Sequence, residues 1–211
     1  LEDGAVVVYL RETREHYGFS TETGEYMWGP TPSEHYLNAL EDSPSNVRHI
    51  AYGNLYTASV GGVVYCYDVL TGEVEWTYQV NDPYSEMLWS NNWWVKPLFF
   101  SDGKLYISHT EHSPVDPRPR GAPFVCLDAE TGDVVFRIDG AFRTTRWGGR
   151  AIIGDSIMVT MDTYDNNIYA VGKGPSALTA QAPMSGVTVG SSVQITGTAM
   201  DVSPGTQDLA R

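Results

Sequence analysis

The sequence predicts an all-β protein, an incomplete β-propeller of about four four-stranded blades followed by the first strands of a second β module. Helical periodicity is nearly absent, and short runs of β-branched and aromatic residues bounded by Gly, Asp, Asn or Pro dominate. A turn motif also recurs three times, in phase with these runs. Repeats of this kind indicate small sheets that stack side by side.

The turn motif has the pattern Asp/Ser-x-x-Thr-Gly-Glu/Asp-x-x-Trp/Phe and occurs at 20–28, 68–76 and 128–136. Its glycine supplies the positive φ of a tight turn, and the leading Asp or Ser can hydrogen-bond the turn backbone. The closing aromatic falls on the next strand, where we expect it to pack as a plug. The glycines are 72 − 24 = 48 and 132 − 72 = 60 residues apart, which fits blades with loops of variable length.

Each repeat is expected to contain four strands, A to D. In the first complete repeat, strands A, B, C and D are predicted at 47–52, 54–60, 62–68 and 73–79. In the second, the same strands are predicted at 95–101, 104–110, 122–128 and 133–138. The first incomplete repeat has strands B, C and D, predicted at 4–10, 16–20 and 25–28. The last has strands A, B and C, predicted at 149–153, 156–161 and 166–171. The blades therefore occupy residues 1–172.

The Thr-Gly-Glu-x-x-Trp turn after a Tyr-Cys-Tyr-Asp or Val-Cys-Leu-Asp strand resembles the repeat of PQQ-type β-propellers. That family includes quinoprotein alcohol dehydrogenases and many non-catalytic scaffolds, and the loop with His-Ser-Pro and Pro-Arg-Gly-Ala-Pro is similar to archaeal members. The resemblance implies a propeller over 1–172, and PQQ with Ca²⁺ if the chain is part of a dehydrogenase. No cofactor is favoured, because such dehydrogenases carry a vicinal disulfide against PQQ and this sequence has no adjacent cysteine pair.

Composition narrows the function classes. The chain has 211 residues, of which 42% are hydrophobic and 18% charged, so it is globular rather than disordered. The net charge of −13 would repel phosphate backbones and anionic membrane surfaces, which excludes nucleic acid as an expected ligand. No run of apolar residues is long enough for a transmembrane helix.

The tail changes character after the repeats. Residues 173–183 are predicted to be a linker of small residues, and Gly186–Ala199 alternates with period two. This pattern resembles the opening strands of an immunoglobulin-like module at 184–211, a segment too short for a whole sandwich. We therefore interpret the chain as a fragment of a longer protein, whose open blade edges would favour self-association.

The longest loops all connect B to C or D to the next A, so they fall at one end of the blades. They are Gly29–Asn46, Asn81–Trp94, Thr110–Gly121, Gly140–Gly148 and Asp162–Asn167. Long loops on a rigid scaffold are typical of binding surfaces, although they also simply tolerate insertions. The ligand-binding candidates at this end are Trp89, Trp94, His109, His112, Arg146 and Trp147.

Each candidate has a binding and a packing interpretation. The tryptophan rings can stack on sugars or a quinone, or Trp93 and Trp94 can pack the blade. Arg146, with Arg143 and Arg150, can clamp a carboxylate or pair with neighbouring acids. Cys66 and Cys126 occupy equivalent positions, which favours buried thiols in the packing between blades over a disulfide.

Two loops carry metal-ligand chemistry. His109, Glu111 and His112 are Zn-type ligands, but on an extended strand His112 points away from the other two, and the alternative is a solvated loop clamped by prolines. A second set, Asp162, Asp165 and Asn166, offers oxygen ligands for Ca²⁺ or ordinary turn chemistry.

The favoured function is a non-catalytic binding or scaffold propeller of a secreted or cell-surface protein, which recognises a protein or glycan through its long-loop face. The first alternative is part of a PQQ- and Ca²⁺-dependent alcohol or sugar dehydrogenase. The second is a metal-dependent hydrolase that uses the loop with His109, Glu111 and His112.

Overall fold

The computed structural model describes residues 4–35, 48–58, 61–82, 92–108, 110–111, 123–139, 144–145, 151–154, 157–162, 167–172, 176–183 and 185–202. These residues form strands and turns, so the predicted all-β class is confirmed. The strands are β1 Ala5–Leu10, β2 Glu15–Ser20, β3 Tyr26–Trp28, β4 Arg48–Ala51, β5 Asn54–Ala58, β6 Val63–Asp68, β7 Val74–Gln79, β8 Lys96–Ser101, β9 Lys104–Ser108, β10 Thr110–Glu111, β11 Phe124–Asp128, β12 Val134–Ile138, β13 Thr144–Thr145, β14 Ile152–Gly154, β15 Ile157–Asp162, β16 Asn167–Gly172, β17 Ser176–Gln181 and β18 Thr196–Asp201.

The antiparallel sheets follow the predicted blade order. Blade 2 has the strand order β4-β5-β6-β7 and blade 3 has β8-β9-β11-β12, so both have strands A to D. Blade 1 consists of β1-β2-β3 and corresponds to strands B, C and D, whereas blade 4 consists of β14-β15-β16 and corresponds to A, B and C. The four-stranded repeat and the two shorter sheets are confirmed, with strand bounds within a few residues of those predicted.

The three predicted turns share one geometry. The Asp68 carboxylate accepts the amide protons of Leu70 and Thr71 at 2.8 and 2.7 Å. Asp128 and Ser20 make the equivalent pairs of bonds in their own turns. The turn glycines have φ values of +74° at Gly24, +74° at Gly72 and +76° at Gly132. Since only glycine adopts this conformation at little cost, the motif fixes the turn locally.

The tryptophans that close the first two motifs, Trp28 and Trp76, each dock on the turn of the next blade. The indole Nε1 of Trp28 donates to the Val69 carbonyl at 2.9 Å. A Cβ at Gly72 would lie 2.4 Å from the Trp28 ring, so the ring occupies the space that a side chain would need. Trp76 repeats the arrangement one blade further on, donating to the Ala129 carbonyl at 3.1 Å. The predicted plugs therefore join successive blades.

Apolar side chains of blades 2 and 3 and the connection between them build the main core. Its members are Tyr56, Ala58, Val64, Cys66, Val80, Trp93, Val95, Leu105, Ile107, Val125, Leu127 and Ala129. Both cysteines are free and buried, and burial raises the pKa of the Cys66 thiol to about 12. The prediction of buried thiols is thus confirmed.

Contacts divide the chain into two compact units, Leu1–Ile152 with Val159–Tyr169, and Ile153–Met158 with Ala170–Arg211. Blades 1 to 3 belong to the first unit. In the second, β17 and β18 form an antiparallel hairpin with Ser176 opposite Asp201. Ser176–Gln181 of the expected linker at 173–183 is therefore a strand that pairs with β18 along its whole length. Among the residues described, no helix is long and apolar enough to cross a membrane.

Candidate functional site

The connections at one end of the blades are all short, whereas the long connections of blades 1 to 3 begin and end at the other. The A–B turns of blades 2 and 3 consist of 52–53 and 102–103, and the C–D turns are the Thr-Gly motifs. The connections 29–47, 80–95, 109–123 and 139–151 begin and end at the opposite ends of the strands, which we call the long-loop end, and the B–C turns 11–14 and 59–62 there are short. Two of them meet there, because β10 and β13 pair in parallel with Glu111 beside Thr145.

The connection 80–95 leaves the blades through a closed stem. Asn81 and Asn92 form an antiparallel bridge, and the Trp93 amide donates to the Val80 carbonyl at 2.7 Å. The Asn92 side-chain amide donates to the Gly61 carbonyl at 3.1 Å. These bonds hold the root of the loop against blade 2.

The start of the connection 29–47 is also fixed. Thr31 accepts the His16 amide proton on Oγ1 at 2.9 Å and donates its own amide to the His16 carbonyl at 3.1 Å. His35 donates its amide to the Tyr65 hydroxyl at 2.9 Å. The segment therefore bridges β2 of blade 1 and β6 of blade 2, and it holds Glu34 between them.

A polar cluster of His16, Glu34 and Arg48 lies at this junction. Arg48 Nε donates to His16 Nε2 at 3.0 Å, and Arg48 Nη2 lies 3.5 Å from Glu34 Oε2. The guanidinium carbon sits 3.4 Å from the ring centroid of Tyr9, and Thr57 donates its hydroxyl to Glu34. His16 and Glu34 are only 0% and 3% exposed, and the Arg48 side chain is 11% exposed, so the cluster is largely buried.

Burial sets the protonation of the polar cluster. Desolvation, followed by the charge of Arg48, lowers the pKa of His16 to about 3. Because Nε2 accepts from Arg48, the neutral ring carries its proton on Nδ1, which has no hydrogen-bond partner among the described residues. Desolvation raises the pKa of Glu34, against the opposing effects of Arg48 and Thr57. A buried imidazole with so low a pKa is a weak base at neutral pH, so the cluster joins two blades rather than transferring protons.

The lowered pKa of His16 predicts a pH-dependent stability. Below about pH 6.5 the unfolded chain binds a proton on this residue, whereas the folded chain does so only near pH 3. The contribution of His16 to the free energy of unfolding is therefore fully present above pH 6.5. It is lost as the pH falls below that value, by up to about 1.4 kcal/mol per pH unit. Urea unfolding between these pH values is expected to show a smaller pH dependence in His16→Gln than in wild type. His35→Gln, at an exposed histidine, is the control, and equal slopes in all three proteins would contradict the assignment.

Most of the ligand-binding candidates lie outside the described residues: Trp89, His109, His112, Arg146 and Trp147. Trp94 is described and only 4% exposed, with the Lys96 ammonium 5.9 Å from its ring centroid. Its neighbour Trp93 belongs to the main core, which favours the packing interpretation for that residue. The assignment of Trp94 and the other candidates to a binding surface stays a prediction.

The metal-ligand candidates are described only in part, since His109 and His112 lie outside the described residues. Glu111 is described by its backbone in β10, and Asp162 ends β15 as a buried residue, whereas Asp165 and Asn166 lie outside the described residues. No group of three His, Cys, Asp or Glu side chains suited to a metal occurs in the described part of the chain. Both free cysteines lie in the apolar interior, so they supply no vicinal disulfide for PQQ. PQQ with Ca²⁺ and both predicted metal sets stay predictions.

Sequence reasoning missed the polar cluster, although the repeat contains a signal for it. Counting back from Ser20, Asp68 and Asp128, His16 occupies the position of Val64 in blade 2 and Phe124 in blade 3. Both of those residues are fully buried. A histidine at a buried apolar position requires a polar partner, and the repeat alignment alone could have raised that question.

No protein-family model matches the chain, and no curated protein matches it. Similar solved structures include the computationally designed Ika4 protein, with 14% identity over 82% of this chain and 88% of that one, at a TM-score of 0.48. A europium-containing methanol dehydrogenase has 13% identity over 66% of this chain, at a TM-score of 0.42, and the match spans only 23% of its length. BamB from Moraxella catarrhalis has 13% identity over 85% of this chain and 65% of that one, at a TM-score of 0.35. The blade assignment rests on the strand order and turns of the chain itself.

Proposed function

We propose that the chain is a non-catalytic binding propeller of a secreted or cell-surface protein, which recognises a protein or glycan through its long-loop end. The observation that carries this proposal is the collection of long connections at one end of firmly joined blades. Loops on a rigid scaffold can vary in sequence while their roots stay in place. In the same proposal, residues 184–211 begin an immunoglobulin-like module.

Three sets of contacts between blades make the scaffold rigid, one at each end of the blades and one in the middle. Tryptophan plugs join the short-turn end, the main core fills the middle, and the polar cluster joins blades 1 and 2 at the long-loop end. The acidic surface directs binding towards neutral or basic ligands, because a net charge of −13 repels polyanions.

The test uses the labelled chain on a panel of glycans and extracellular glycoproteins. Binding to any member is expected to fall at least about tenfold in the variant Trp89→Ala/Trp147→Ala, which removes two aromatic contacts from the long loops. Leu70→Ala, an exposed residue in a C–D turn at the opposite end, is the control and should bind normally.

Two results would contradict the proposal. One is equal loss of binding in the Leu70 variant, which would place the contact at the wrong end. The other is dye-linked alcohol or sugar oxidation after addition of PQQ and Ca²⁺, which would support the dehydrogenase alternative instead.

A further inference from the structure

Arg14 has a backbone conformation that favours glycine. It ends the B–C turn of blade 1 with φ at +61°, in the left-handed region that side chains disfavour. Blade 2 has a glycine at the equivalent position, immediately before its C strand, and the φ of this Gly62 is +65°. An arginine here therefore needs side-chain interactions that offset the cost of its backbone conformation.

Tyr9 is a second polar side chain at a position that is apolar in blade 2. Its strand partner is His16, whereas Val64, which corresponds to His16, has Ala58 as its partner. Tyr9 therefore takes the place of an alanine that is only 2% exposed. In both comparisons a small residue of blade 2 is replaced in blade 1 by a long side chain that carries a hydrogen-bond donor.

Both of these side chains have a buried donor without a partner. The Tyr9 hydroxyl and the Arg14 Nε make no hydrogen bond to any of the described residues. A phenol O–H and a guanidinium N–H can both donate, and a buried donor without an acceptor is destabilising. The two groups therefore require an acceptor that no described side chain or carbonyl supplies.

The charges that act on Tyr9 do not balance. Burial raises the pKa of Tyr9, and after burial Arg48 lowers it, Glu34 raises it and Arg14 lowers it. Arg48 and Glu34 form an ion pair with 3.5 Å between Nη2 and Oε2. Arg14 forms no ion pair within the described part of the chain. Two cations and one carboxylate leave one positive charge in excess.

We infer that the Tyr9 hydroxyl and the Arg14 Nε bind one small monoanion, chloride or an ion of its size, at the junction of blades 1 and 2. A single negative charge cancels the excess, and the ion accepts from both donors. Because both donor atoms are buried, the site suits a small ion better than a phosphate or the carboxylate of a large ligand. The Arg14 carbonyl accepts the Glu34 amide proton at 2.9 Å, so the same residue joins the ion to the root of the connection 29–47.

Urea unfolding at fixed ionic strength tests this inference, with the large anion gluconate replaced stepwise by about 1 to about 200 mM chloride. Chloride is expected to lower the unfolding equilibrium constant of the wild-type chain at least about tenfold, because it binds only the folded state. Arg14→Gly should abolish this response and keep the fold, since blade 2 has glycine at the same position with a similar φ. Arg11→Gly removes one charge from an exposed position of the same turn, so this matched control should respond like wild type.

Broadening of the chloride NMR signal measures binding without unfolding the protein, and it is expected in wild type and the control but not in Arg14→Gly. Tyr9→Phe keeps the ring and should weaken chloride binding at least about tenfold, the usual effect of losing a hydrogen bond to a charged group. Tyr17→Phe removes a hydroxyl that donates to Glu15 instead, and it should leave binding unchanged. If neither unfolding nor line width of the wild type depends on chloride, water satisfies the two donors and the inference is overturned. Equal responses in Arg14→Gly and wild type would overturn it as well.

Discussion

Replacing Trp28 with alanine is expected to lower the free energy of unfolding by about 3–5 kcal/mol, the usual cost of deleting a buried aromatic ring. The ring fills the space between two glycines: a Cβ at Gly18 would lie 2.2 Å from it, and one at Gly72 would lie 2.4 Å away. Neither glycine has a side chain to close the gap. The cavity would therefore persist between blades 1 and 2, and the Val69 carbonyl would lose its donor.

Urea or thermal unfolding followed by tryptophan fluorescence and circular dichroism measures this effect. Trp28→Phe removes the hydrogen bond and part of the indole volume, so it is expected to cost more than the about 1 kcal/mol of the hydrogen bond alone and less than the alanine variant. Met27→Ala, on the same strand but exposed, is the control and should cost less than about 1 kcal/mol. An alanine variant at position 28 as stable as the control would show that the plug does not join the blades.

Replacing Arg48 with methionine is expected to cost about 3–5 kcal/mol, because it leaves the Glu34 carboxylate buried without a counter-charge. The same change removes the donor to His16 Nε2 and the cation over the Tyr9 ring. The pKa of Glu34 should rise further, since the charge of Arg48 opposes the effect of burial. A carboxyl group whose pKa is raised by folding stabilises the folded state at low pH. The destabilisation caused by Arg48→Met should therefore diminish as the pH falls towards the pKa of Glu34.

The double variant Arg48→Met/Glu34→Leu distinguishes an unpaired charge from lost packing. Removing both ions is expected to restore most of the stability, because two apolar side chains need no counter-charge. Equilibrium unfolding of the two single variants and the double variant gives the coupling energy directly. Additive costs, with no recovery in the double variant, would contradict the assignment of an interacting pair.

Local sequence determined the strands and turns, for an identifiable reason. Each Asp68-type turn is closed by bonds between residues at most five apart, and its glycine conformation depends on the absence of a side chain. Alternating apolar residues then fix which side of each strand is buried. These rules predicted the bounds of the blades, the packing of the plugs and the burial of both cysteine thiols, because all of these features repeat in register with the motif.

Only the tertiary structure decided which residues meet. His16, Glu34 and Arg48 come from a strand, a connection and another strand, and no period in the sequence links them. The long connection lets Glu34 fold back between two blades, where hydrogen bonds from the His16 amide to the Thr31 hydroxyl and from the His35 amide to the Tyr65 hydroxyl hold the segment. The docking of Trp28 and Trp76 on the turn of the following blade is likewise a property of blade stacking. Local sequence specifies elements through short-range bonds, whereas packing between distant elements selects partners, and that selection produced the polar cluster.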